Sequence, residues 1–120
     1  MIIALWIINI ILAFVFLAAG VTKLARTPQA LADSGMTWAT DTSTGAVKAI
    51  GAVEVLGALG LFLPLATGIA PVLAPIAAIG LVLAMVGAII VHLKRAENFM
   101  APVVLLVIAA VSAILGFINL

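Results

Sequence analysis

Four runs of about twenty apolar residues dominate the chain, and they leave few folds open to it. They cover residues 2–24, 46–63, 71–93 and 101–120. An α-helix rises about 1.5 Å per residue and the hydrocarbon core of a bilayer is about 30 Å thick, so each run spans it once as a helix. In lipid every backbone N–H and C=O must be paired within the protein, and a helix does this by itself. Of the 120 residues, 68% are hydrophobic and 8% charged, where soluble domains run at roughly 45–50% and about 25%. The pattern predicts an all-α integral membrane protein: an up-down-up-down four-helix bundle forming a single transmembrane domain over residues 1–120. The first run has no positive flank before it and is long for the apolar part of a secretory signal, so it reads as a retained span.

The connections differ in length and charge. "PLATGIA", Pro64 to Ala70, is short and uncharged, and predicts a tight hairpin between spans two and three, with Pro64 closing span two. "KRAENFM" joins spans three and four and is equally short. Pro71 and Pro102 fall at first-turn positions, Pro75 one turn further in predicts a modest kink, and Asn98 is the expected N-cap of the last helix. The segment from Arg26 to Gly45 is longer. Thr27 then Pro28 is a cap followed by a first-turn proline, and Gly35 is a helix stop, so Pro28 to Ser34 reads as a short interfacial helix. Met36 and Trp38 then fall at headgroup level, where Trp is enriched.

Every Lys and Arg lies at the first or third connection: Lys23, Arg26 and Lys48, then Lys94 and Arg95. The positive-inside rule places loops 25–45 and 94–100 in the cytoplasm, and both termini and the Pro64–Ala70 turn outside. The expected location is the bacterial cytoplasmic (inner) membrane, multi-pass, with the lipid bilayer as the first partner. A net charge of +1 without a basic run gives nucleic acid nothing to bind. With no cysteine, disulfides and thiol chemistry are excluded, and one histidine makes neither a metal nor a haem centre.

Within the spans, the feature that asks for an explanation is Glu54 in "GAVEVLG". Its helix face carries Ile50, Gly51, Gly57 and Ala58. Small residues mark close helix contact in membranes, and a lipid-facing carboxylate near the bilayer centre costs about 2.5–3.5 kcal/mol, so Glu54 is expected to point into the bundle. Lys48 is six residues away and about 120° around the helix, a poor partner. Lys23, over Phe16, Ala19 and Gly20, is a better one, and His92 sits at the same end of span three. Lys23, Glu54 and His92 form the expected intramembrane polar cluster. Gly20, Gly51, Gly57, Gly60, Gly80 and Ala84 are the expected helix-packing positions, and Asn9 reads as an interhelical hydrogen bond.

"FLAAGVTKL", "GMTW", "VKAIGAVEVLGALGLFLP" and "LAPIAAIGLVLAMVGAIIVHLKRAE", taken in order from about Phe16 to Glu97, resemble the DoxX-like family of small four-helix membrane proteins. The family takes its name from a subunit of a thiosulfate:quinone oxidoreductase. The resemblance implies an accessory partner of a membrane redox system or, as in distant eukaryotic relatives, an assembly chaperone for membrane receptors. The chain resembles the branch without a defined chemistry, and none of its residues make up a catalytic set.

Three readings of Glu54 stay open here. It forms a buried ion pair or hydrogen bond that fixes helix register, or it lines a pocket for a quinone head group or other small amphiphile, or it carries protons. No second carboxylate lies within a span to continue a relay. For the whole protein the leading expectation is a non-catalytic accessory subunit or assembly partner that binds a membrane protein or itself. The alternatives are a quinone- or amphiphile-binding accessory and proton-coupled transport through Glu54. A pocket lined by Glu54, His92 and aromatics would separate the first two from each other; a solid core there would favour the subunit.

Overall fold

A computed structural model of the chain describes residues 2–120; Met1, part of the expected domain, lies outside them. Four long helices and one short one make up most of it: α1 (Ile2–Ala25), α2 (Pro28–Asp33), α3 (Thr44–Thr67), α4 (Leu73–Lys94) and α5 (Met100–Ile118), with a 3₁₀ turn over Thr37–Asp41. All four long helices are apolar and long enough to cross a membrane. The molecule is 41 Å along its longest axis, against about 40–45 Å for a bilayer with its headgroups. This is a multi-pass, all-helical membrane bundle.

Antiparallel pairing is fixed by a few close contacts. Gly20 of α1 meets Gly51 of α3, and Gly57 and Gly60 of α3 meet Leu81 and Ala77 of α4. Gly116 of α5 packs on Pro75 of α4. Near the opposite end from the charged loops, Asn9 Nδ2 donates to the Leu61 carbonyl at 3.0 Å and Asn9 Oδ1 accepts from Ser112 Oγ at 2.5 Å. One buried amide thus ties α1, α3 and α5 together. Between these points Leu12, Phe16, Ala58, Leu61, Leu81 and Ala109 form the core. Large side chains such as Ile3, Phe14, Leu56 and Leu83 face outward, as lipid contact allows.

Several helix ends differ from expectation. Pro64 does not close α3. It lies in the last turn, where the missing N–H removes a single ladder bond, and the helix runs to Thr67. Gly68 stops it in the left-handed conformation, φ 70°, its N–H bonded to the Pro64 carbonyl. Helix α4 starts at Leu73, so Pro71 precedes it and Pro75 occupies its first turn. No intrahelical N–H is expected there, and no kink is needed. Asn98 caps α5 from one residue further out, its Oδ1 accepting from the Met100 N–H at 2.9 Å. Thr27 caps α2 through the Ala30 N–H at 3.1 Å, and the helix ends at Asp33.

The long first connection folds onto one end of the bundle. Leu31, Ala39 and Val47 form a small buried core with Met36 and Trp38 against it. Met36 and Trp38 are therefore half-buried in protein as well as lying at the end of the spans.

Candidate functional site

Helix geometry brings Lys23 and Glu54 together. Side chains on a helix lean toward its N-terminus. Helices α1 and α3 are antiparallel, so Lys23 leans from the charged end toward the bilayer centre while Glu54 leans back toward it. The glycine contact at Gly20 and Gly51 sets the helices close enough for the two to meet. Lys23 Nζ lies 2.7 Å from Glu54 Oε1, and the residues are 7% and 3% exposed. Oε1 is sealed from solvent, and Lys23 is its partner among the described residues.

His92 is not part of that contact. Contacts between Gly57 and Leu81 and between Gly60 and Ala77 put Ala84 level with Glu54. His92 is eight residues on, about 12 Å along the axis. Its Nδ1 pairs instead with Glu97 Oε1 at 3.3 Å. The end of α4 explains why: Ala96 turns left-handed, φ 55°, and the Ala96 and Glu97 N–H groups bond back to the Leu93 and His92 carbonyls. This helix-ending motif folds Glu97 over His92.

A second polar cluster, unanticipated from the sequence, joins the two loops at this end. Arg95 pairs with Asp41 and, through Nε at 3.0 Å, with Glu97 Oε1. Thr37 Oγ1 donates to Glu97 Oε2 at 2.7 Å. These contacts clasp the 3₁₀ turn to the end of α4. Lys48 has a different role again. Its Nζ donates to the carbonyls of Lys23, Leu24 and Arg26 at 3.0, 2.7 and 2.8 Å, capping the C-terminus of α1, where a cation is favoured.

Beneath the clasp is a half-open cavity of about 820 Å³. Lys23, Glu54 and His92 are its ionisable lining residues, Met36 and Trp38 line it from the first connection, and most of the rest is apolar. The small residues of α4 explain the space. Gly57 and Gly60 are in tight contact with α4, but nothing lies within 4 Å of a Cβ built at Gly80 or Gly87. Gly80 is thus not a helix-packing position within this chain; it lines the cavity, as do Ala84 and Gly87. Exposed Ile50, Val53, Leu83 and Val91 also border the cavity, so it opens at membrane depth. A smaller apolar groove of about 230 Å³ adjoins it, sharing Val53 and Gly80 and reaching Gly57 and Ala77.

The DoxX-like family model matches residues 7–113. The chain belongs to the DoxX-like family. No curated protein and no solved structure matches it. In this DoxX-like protein the matched span contains the ion pair, the cavity lining and the clasp. No group of His, Asp and Glu able to hold a metal occurs among the described residues.

The clasp of this DoxX-like protein is expected to weaken in acid. The Thr37 hydroxyl, helped by the Arg95 charge and the Arg95 and His92 hydrogen bonds, holds the Glu97 carboxyl below its ordinary value. A carboxyl lowered on folding stabilises the fold fully above its unfolded pKa of about 4.3, and that contribution is lost as pH falls through the lower folded value. The hydrogen-exchange protection of Thr37–Asp41, taken relative to the intrinsic exchange rate at each pH, is expected to be level at neutral pH and to fall in acid below the usual carboxylate range. In Glu97→Gln that acid loss of protection should shrink; an unchanged profile would remove Glu97 from the clasp.

Proposed function

We propose that this DoxX-like protein is a non-catalytic membrane accessory that binds a membrane-dissolved amphiphile of the quinone class in the cavity at Glu54. One observation carries the reading. A cavity of about 820 Å³ is within the size range of small-molecule sites and has their make-up, an apolar wall with a few convergent polar groups. The polar groups, Lys23, Glu54 and His92, lie toward the loop end. The adjoining groove toward Gly57 and Ala77 offers an apolar path for a tail. An opening at membrane depth suits a ligand that arrives from lipid.

A solid core around Glu54 would have favoured a purely structural subunit, and the open cavity weighs toward the binding role. The two are compatible, since an accessory subunit can deliver or retain a lipophile for a partner. Proton transport has less support, because Glu54 is the sole carboxylate within the spans. We read the loop end as cytoplasmic from its lysines and arginines in a bacterial inner membrane; a reporter fused after Leu120 should be active only outside.

The test is lipid mass spectrometry on protein purified in mild detergent. Wild type should carry an amphiphile above the detergent background. Gly87→Leu fills open space, so it should keep its thermal stability while losing the ligand. Absence of any retained amphiphile from wild type, or equal retention by the filled variant, would overturn the proposal.

A further inference from the structure

The Lys23–Glu54 pair has hydrogen-bonding capacity left over, and it borders the cavity. Glu54 Oε1 is sealed within the protein and engaged by Lys23 Nζ at 2.7 Å, so Oε2 is the carboxylate oxygen left for a ligand. An ammonium carries three N–H donors, and among the described residues Lys23 Nζ has one polar neighbour, Glu54. Both residues line the cavity, and His92, the remaining ionisable group there, has its Nδ1 against Glu97. A head group at this point therefore meets an open acceptor, Glu54 Oε2, beside an ammonium with N–H donors to spare.

We infer that the cavity selects neutral amphiphiles whose head carries a hydroxyl, as in a quinol or an isoprenoid alcohol. The O–H donates to Glu54 Oε2, and the same hydroxyl oxygen accepts from Lys23 Nζ. This rests on the amphiphile-binding reading above and narrows its ligand class. A carbonyl head satisfies Lys23 alone and seals Oε2 away from water without a partner, which costs the desolvation penalty of that oxygen. An anionic head is set against Glu54, and a cationic head against Lys23. The pair has no net charge, so a neutral head meets no uncompensated charge.

The test uses native mass spectrometry of the full chain in mild detergent under reducing conditions, with dodecyl hydroquinone, the matching dodecyl quinone and farnesol as probes. A hydrogen bond to a charged group is worth enough to expect the hydroxyl probes to bind at least about tenfold more tightly than the quinone. In Lys23→Met/Glu54→Leu, where apolar residues replace both charges, that preference should vanish while quinone binding persists; a thermal melt checks that the variant is folded. Tight binding of the hydroquinone alone would identify a ring-headed ligand, and of farnesol alone an isoprenoid alcohol; either supports the hydroxyl head. Equal or tighter binding of the quinone by wild type, or a hydroxyl preference surviving in the double variant, overturns this inference and leaves the amphiphile reading standing. If none of the three binds to wild type, both fall.

Discussion

Glu54→Leu alone is expected to destabilise the protein by about 3–5 kcal/mol, and Lys23→Met/Glu54→Leu to recover most of that loss. The asymmetry follows from burial. Removing one partner leaves the other, 7% exposed in the case of Lys23, as an uncompensated charge in a medium that solvates it poorly. Removing both leaves two apolar side chains of similar volume between α1 and α3. The milder Glu54→Gln should also lower stability, and Lys23→Glu/Glu54→Lys should partly rescue either reversal, because each side chain leans toward the other whichever carries the charge. Unfolding midpoints in detergent measure the cycle. A single variant no worse than the double would mean that the pair contributes no coupling.

The second large effect lies one turn away. A Cβ at Gly20 would sit 2.6 Å from the Gly51 carbonyl oxygen and 2.9 Å from the Val55 amide nitrogen. Both are backbone atoms of α3, so relief requires the helices to separate. Gly20→Val is expected to cost about 3 kcal/mol or more, at the upper end for overpacking, and to loosen the Lys23–Glu54 contact with it. Gly80→Ala, with nothing within 4 Å of the added methyl, should be neutral within about 0.5 kcal/mol. Equal effects at the two positions, read as thermal melts in detergent, would contradict the close α1–α3 approach.

These two glycines also mark where the sequence was readable. Four apolar runs and their charged connections carry the topology, because a chain in lipid has only the helix for each crossing. Helix ends were less legible. Pro64 reads as a stop by its chemistry, yet one missing ladder bond in a last turn is tolerable, and the stop is Gly68. On small residues, composition indicates that something approaches closely or that nothing does, without separating the cases. Gly20 and Gly51 touch backbone, whereas Gly80 and Gly87 border open space, a distinction that depends on how α3 and α4 diverge. The juxtaposition of Lys23 and Glu54 follows from side-chain lean on antiparallel helices. His92 was drawn elsewhere by Glu97, which reaches it only because Ala96 turns the chain back. The Arg95–Asp41 contact spans two loops far apart in sequence. Its one sequence signal is opposite charges in two loops on the same side, which does not specify partners. Lys48, set aside as a partner for Glu54, caps α1 instead, a role visible only once α3 is placed beside that helix end.

Occupation of the cavity by an amphiphile is the central claim. Photocrosslinking with a hydroquinone that carries a diazirine beside its ring, followed by peptide mass spectrometry, measures it in membranes. Labels are expected on Met36, Trp38 and the stretch of α4 from Ala84 to His92, and they should disappear in Gly87→Leu. Labels spread over the outward-facing residues, Phe14 and Leu56 among them, and unaffected by Gly87→Leu would contradict it.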